Sequence, residues 1–161
     1  MKKKMMMMLI GLMTAVSMNA QFEKDKFYVG ASASGFDLSF NDQQKVSLDL
    51  MAHAGYLFEQ DWMVVGQVGL ATRKNYPDMF TAGLGLRYYL ERNGLYFTLG
   101  ANYVRQSEDY HDFMPSVNVG YAFFLNRTVT LEPQVYYNIS TKNFGDYSRF
   151  GVRIGLSVYF E

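Results

Sequence analysis

Two histidines and no cysteine occur in the 161-residue sequence, so His53 and His111 are where nucleophilic or acid–base chemistry would have to start. A catalytic reading of His53 needs a nucleophile and an orienting acid beside it. His53-Ala54-Gly55 has no serine at a matching spacing, so His53 is expected as a hydrogen-bonded polar group inside the fold. His111 sits in Glu108-Asp109-Tyr110-His111-Asp112, a loop-side cluster that could hold a cation but lacks the regular spacing of a metal loop. Gly83 and Gly85 form a GxG inside an alternating stretch with no helix after it, which argues against a phosphate loop. Asn126-Arg127-Thr128 and Asn138-Ile139-Ser140 fit the glycosylation sequon and read as a turn and a strand end. No catalytic residue, cofactor or metal site is expected from these patterns.

The elements that would position these groups follow from the rest of the chain. Lys2, Lys3 and Lys4, the apolar run Met5 to Met13, and Ala20 at a cleavage position read as a secretory signal over residues 1–20, leaving one domain over 21–161. Losing three lysines and no acid turns 15 basic against 15 acidic residues into 12 against 15, a net charge of −3. A mildly acidic chain without clustered Lys and Arg argues against nucleic acid as a partner. The predicted domain holds all 13 tyrosines, all 13 phenylalanines and the one tryptophan, which favours strands.

Period-two alternation marks eight segments, at 27–39, 45–58, 62–72, 79–90, 94–105, 113–124, 128–140 and 148–160. Tight turns at 59–61, 91–93 and 125–127 alternate with longer polar connections at 40–44, 73–78, 106–112 and 141–147. The predicted fold is all-β, an up-and-down antiparallel barrel of eight strands that closes without edges. Pro133 is expected to cause a bulge or a local distortion, because it removes one ladder hydrogen bond.

Which face is inside is decided by composition. One flank is large and nearly uncharged, as in Phe150, Val152, Ile154, Leu156, Val158 and Phe160. The other is rich in glycine, serine, threonine and amides, and poor in the lysine and glutamate a water-facing surface would show. Eight strands enclose too little space for the large side chains, so the apolar flank is expected to face lipid. Tyr56, Phe58, Trp62, Tyr88, Phe97, Tyr121, Phe123 and Phe160 would then form an aromatic girdle near the short-turn end. Asp49, His53, Gln67, Arg87, Asn102, Asn118, Glu132, Gln134 and Arg153 would form a polar network in the lumen. In that network Arg87 is expected to pair with Glu132, and Asp49 with Arg153, as a plug rather than a conduit.

Over the whole length from Gln21, the pattern resembles the small eight-stranded outer-membrane barrels of Gram-negative bacteria. These include the OmpX-like proteins, the OmpA membrane domain and the barrel domains labelled as porin family. Arg153, Gly155, Val158 and Phe160 match that family's C-terminal assembly signal, with Glu161 an extra residue after the terminal aromatic. The resemblance implies export to the cell outer membrane, recognition by the outer-membrane assembly machinery, and contact with outer-membrane lipid and lipopolysaccharide. The leading expectation is a non-enzymatic barrel with a structural or surface-interaction role. A ligand or protein would be met through 40–44, 73–78, 106–112 and 141–147, where Tyr76, Tyr110, Phe144 and Tyr147 lie among charges. The alternatives are a narrow porin-like channel and a lipid-modifying enzyme, and the second lacks the triad it would need.

Overall fold

The computed structural model of the chain describes residues 22–38, 48–73, 76–90, 93–105, 111–142 and 148–161. Its strands are β1 (Phe27–Leu38), β2 (Leu48–Glu59), β3 (Trp62–Arg73), β4 (Tyr76–Tyr89) and β5 (Leu95–Arg105). They continue with β6 (His111–Tyr121), β7 (Phe123–Phe124), β8 (Val129–Asn138) and β9 (Arg149–Phe160). β7 carries β6 onward past Ala122, and both pair with β8, so the nine strands make eight staves. Every neighbouring pair is antiparallel, and β1 pairs with β9 from Phe27↔Phe160 to Leu38↔Phe150, which closes the barrel. Closure leaves no edge, which hydrocarbon would punish by several kcal/mol per unsatisfied amide.

Burial is inverted relative to a water-soluble protein. Arg87 is 2% and Glu132 1% exposed, while Leu84 is 70% and Leu99 64% exposed. On β9, Val152 through Phe160 project outward at even positions, and Gly151, Arg153, Gly155, Ser157 and Tyr159 turn inward. Period-two geometry thus sorts one sequence into a lipid-facing coat and a polar interior.

Two of the long connections are shorter than the sequence suggests. Arg73 pairs with Tyr76, so Tyr76 to Asp78 belong to β4 rather than to a loop at 73–78. His111 and Asp112 open β6 in register with Arg105 and Val104, so they are not loop residues. The turn at 60–61 is tight enough to put Asp61 at φ +63°, which a short polar side chain tolerates. In the turn after β7, Asn126 Oδ1 accepts from the amides of Thr128 at 2.9 Å and Val129 at 2.8 Å, which explains the asparagine there. Residues 1–21, 40–44, 91–92, Glu108 to Tyr110 and 143–147, and with them the signal segment, Phe144 and Tyr147, lie outside the described residues.

Pro133 does not bulge the β8–β9 ladder, whose register runs unbroken from Val129↔Val158 to Asn138↔Arg149. The distortion falls on the other side. Tyr159 N–H donates to Thr128 O and Leu125 N–H to Val129 O, each at 2.8 Å, so odd residues of β8 turn their backbone toward β6 and β7. Pro133 is odd and, by extension of Gly120↔Gln134, stands opposite Tyr121 with no N–H to donate. The sixth stave is interrupted there, at Ala122. Pro115 faces the same seam but serves as an acceptor, taking the Ile139 N–H at 2.8 Å.

Candidate functional site

The interior residues form two tiers. In the tier nearer the short turns, β4 supplies Arg87 and β8 supplies Glu132, and their side chains meet at 3.2 Å between Nη1 and Oε2. Glu132 Oε2 also accepts from Tyr28 at 3.0 Å and Tyr96 at 3.4 Å, and Oε1 from Thr130 at 2.9 Å and Tyr159 at 3.0 Å. Five donors around one carboxylate provide the satisfaction a buried charge requires. Arg87 also donates through Nε to Thr98 at 3.1 Å and through Nη1 to Tyr89 at 3.2 Å. Its guanidinium carbon lies 4.1 Å from the Tyr96 ring centre and 5.0 Å from that of Tyr28, a cation held against two π faces.

Below this layer Phe22, in the segment before β1, closes over the barrel. Phe22 is 2% exposed and stacks on Tyr89 with centroids 3.7 Å apart, and its carbonyl accepts from Asp61 N–H at 3.1 Å. Leu57, Met63, Tyr96 and Tyr159 pack with it in one buried cluster. Two glycines let the bulky rings and amides fit. A Cβ at Gly120 would collide with the Tyr96 ring and lie 2.9 Å from Gln134 Cβ. One at Gly83 would collide with Asn102 Oδ1 and meet Ala101 O at 2.9 Å.

The outer tier is looser. Ser32 Oγ and His53 Nε2 are 2.7 Å apart, Ser34 donates to Asp49 at 3.5 Å, and Arg153 lies over the Tyr136 ring at 4.4 Å. Gln67 Nε2 donates to Asn102 Oδ1 at 2.5 Å, and Asn102 Nδ2 to Asn138 Oδ1 at 3.3 Å. Asn118 and Gln134 are buried beside them. Asp49, Asn102, Asn118, Arg149 and Arg153 line a cavity of about 30 Å³ at this height, room for a water or two.

The serine beside His53 therefore exists, and it comes from β1. Sequence spacing along β2 could not reveal it, because the contact depends on the β1–β2 register that sets Gly30 opposite His53. His53 Nδ1 has no hydrogen-bond partner among the described residues, and none of them supplies an acid that orients the ring as a triad would. His111 Nδ1 lies 3.1 Å from Tyr103 Oη on the outer surface, while Asp112 turns inward to accept from Ser140 at 2.5 Å and Thr141 at 2.9 Å. The two are thus parted onto opposite faces of β6, and no cluster of metal-ligating side chains occurs among the described residues.

The girdle residues all take outward positions. Trp62 tilts against Tyr88 at 4.8 Å, Tyr121 against Phe123 at 4.3 Å, and Phe27 lies between Tyr56 at 5.1 Å and Phe160 at 6.0 Å. Phe58 and Phe97 are each 42% exposed. Of the four residues expected to form a C-terminal assembly signal, Val158 and Phe160 face outward, and Arg153 and Gly155 inward.

The closed eight-stave barrel has counterparts among solved structures. The Neisserial surface protein A matches over 83% of this chain and 97% of its own, at 19% identity and a TM-score of 0.64. The N-terminal β-barrel domain of Pseudomonas aeruginosa OprF matches over 85% and 98%, at 11% identity and 0.60. The chain has the fold of these outer-membrane barrels. The Yersinia pestis outer membrane protein Ail shares the fold at 13% identity and a TM-score of 0.53, covering 85% of this chain and 100% of its own. No protein-family model and no curated protein matches the sequence. At these identities the likeness extends to the backbone, and the side chains of the two interior tiers must be read from this chain itself.

Proposed function

We propose that the protein is an integral outer-membrane barrel that neither conducts nor catalyses, and that it works through its lipid-facing rim and its loop end. The observation that carries this reading is the filled short-turn half, where Phe22, four tyrosines and the Arg87–Glu132 pair occupy the cross-section. An interior ion pair whose carboxylate accepts from five donors does not need solvent, so the same residues serve as a polar plug. A catalytic role is disfavoured because the Ser32–His53 contact lies inside the lumen, away from lipid and without an orienting acid. One structural neighbour is named a surface protein, which agrees with a role at the cell surface for the loop end.

Export after cleavage before Gln21 and insertion by the assembly machinery through the Phe160 end belong to the same proposal. Contact of the coat with outer-membrane lipid and lipopolysaccharide belongs to it as well. Solute uptake by proteoliposomes tests the plug, since a closed barrel leaves them impermeable to a small sugar and an open one makes them swell. The second reading, a narrow channel, draws on the polar cavity beside Asp49 and Arg153, and swelling of the proteoliposomes would favour it.

A further inference from the structure

Residues 22–26 form a strap that precedes β1 and belongs to none of the barrel's ladders. Three backbone bonds hold it across the short-turn mouth. Asp25 N–H donates to Leu57 O at 2.8 Å, Leu57 N–H to Lys26 O at 2.9 Å, and Asp61 N–H to Phe22 O at 3.1 Å. Phe22 is buried, whereas Glu23, Lys24 and Asp25 are exposed. The Phe22 ring fills a pocket made by Leu57, Met63, Tyr89, Phe124 and Tyr159. No stave depends on these contacts, since β1 pairs with β2 and β9 only from Phe27 onward.

The only two non-glycine residues with positive φ among the described residues are both at the strap's anchors. Asp25, at φ +69°, bends the strap itself, and Asp61, at φ +63°, gives the N–H that holds Phe22 O. A left-handed backbone costs free energy at a residue with a Cβ, and undocking relieves that cost at Asp25. Holding the strap down are the burial of one ring and Tyr56 Oη, which donates to Asp25 Oδ1 at 2.6 Å. The ion pairs of Lys26 with Glu23 at 3.0 Å and Lys24 with Glu59 at 4.0 Å lie at the surface and add little. A short segment with one buried ring, a bent backbone and no share in a ladder can open without the rest. Phe22 covers Tyr89, whose hydroxyl accepts from Arg87 and shares a hydrogen bond with Tyr159, itself a donor to Glu132. Lifting the ring brings water to that chain of groups from the short-turn side.

We propose that the plug has two parts, a fixed tier around Arg87 and Glu132 and a detachable seal, the 22–26 strap, which undocks as a unit while the barrel stays closed. Docked, the strap keeps water off the tyrosines. Undocked, it opens the aromatic pocket to the short-turn side. The proposal rests on the reading of the interior as a plug. The two fail separately, because solute uptake reports the whole passage and the strap is read at one buried position.

The test places a single thiol under Phe22, by Met63→Cys in a chain that has no cysteine of its own, and follows its alkylation by iodoacetamide in the detergent-folded barrel by mass spectrometry. Unboiled gel mobility confirms that each variant stays folded. The thiol should react more slowly than in the denatured chain but well ahead of global unfolding, at a rate set by the open fraction of the strap. Asp25→Ala removes the acceptor of Tyr56 at an exposed position and should speed the reaction about tenfold, the weight of one hydrogen bond to a carboxylate. Phe22→Ala should speed it further, and Arg127→Gln, in another short turn, should change nothing. Alkylation that proceeds only as urea unfolds the barrel, or that neither strap variant speeds, would overturn the proposal. So would equal acceleration by Arg127→Gln, or reaction at the denatured-chain rate with the strap intact, which would show that no seal exists.

Discussion

Glu132→Ala is the most informative single perturbation of the interior. The carboxylate it removes is 3.2 Å from Arg87 Nη1, and the two side chains are 1% and 3% exposed, so no solvent screening softens the loss. Arg87 keeps its bonds to Thr98 and Tyr89 and its tyrosine faces, but loses its only anionic partner among the described residues. Breaking a buried pair from one side costs about 3–5 kcal/mol. With an m-value of about 2 kcal/mol/M in urea, the unfolding midpoint should fall by about 2 M. Trp62, the one tryptophan, is exposed on the outer face of the barrel and reports unfolding of the refolded barrel by fluorescence. Arg87→Ala should cost a similar amount, and the double variant should recover about 2 kcal/mol of the summed loss, because it leaves no charge unpaired. A coupling near zero would refute the reasoning and show two separately solvated charges.

Gly120→Ala places a methyl group against the Tyr96 ring and should cost about 1–3 kcal/mol in the same urea assay, with Tyr96 displaced from Arg87 and Glu132. Pro133→Val returns an N–H opposite Tyr121 and should stabilise by about 1 kcal/mol, with slowed amide exchange along β6 to β8 as the accompanying readout. Removing Phe160 and Glu161 together should lower the fraction of chain recovered from cells in heat-modifiable form, and an unchanged fraction would place the assembly signal elsewhere.

The alternation of β9 was enough to identify strand and faces, because a period of two is a property of the backbone and survives in any neighbourhood, whereas lipid contact needed the composition of both faces across all the strands. Arg87 and Glu132 were legible as partners from their height along two predicted strands. The tyrosines that encircle them shared the inward parity, but parity does not say which rings reach a common carboxylate. Ser32 beside His53 and the missing donor of Pro133 opposite Tyr121 depend on register and on which neighbour each amide faces. Neither is encoded within a single strand. Phe22 carried no pattern at all. It precedes β1, and only the closed barrel shows that its ring completes the cluster around Tyr89.

Single-channel recording in planar bilayers tests the central claim, that the interior is a plug. The wild-type barrel should insert without a stable open level. The triple variant Phe22→Ala, Arg87→Ala, Glu132→Ala, which empties the short-turn half, should conduct in discrete steps. Steady ohmic steps from the wild type, unchanged in the triple variant, would contradict the account and make the protein a channel.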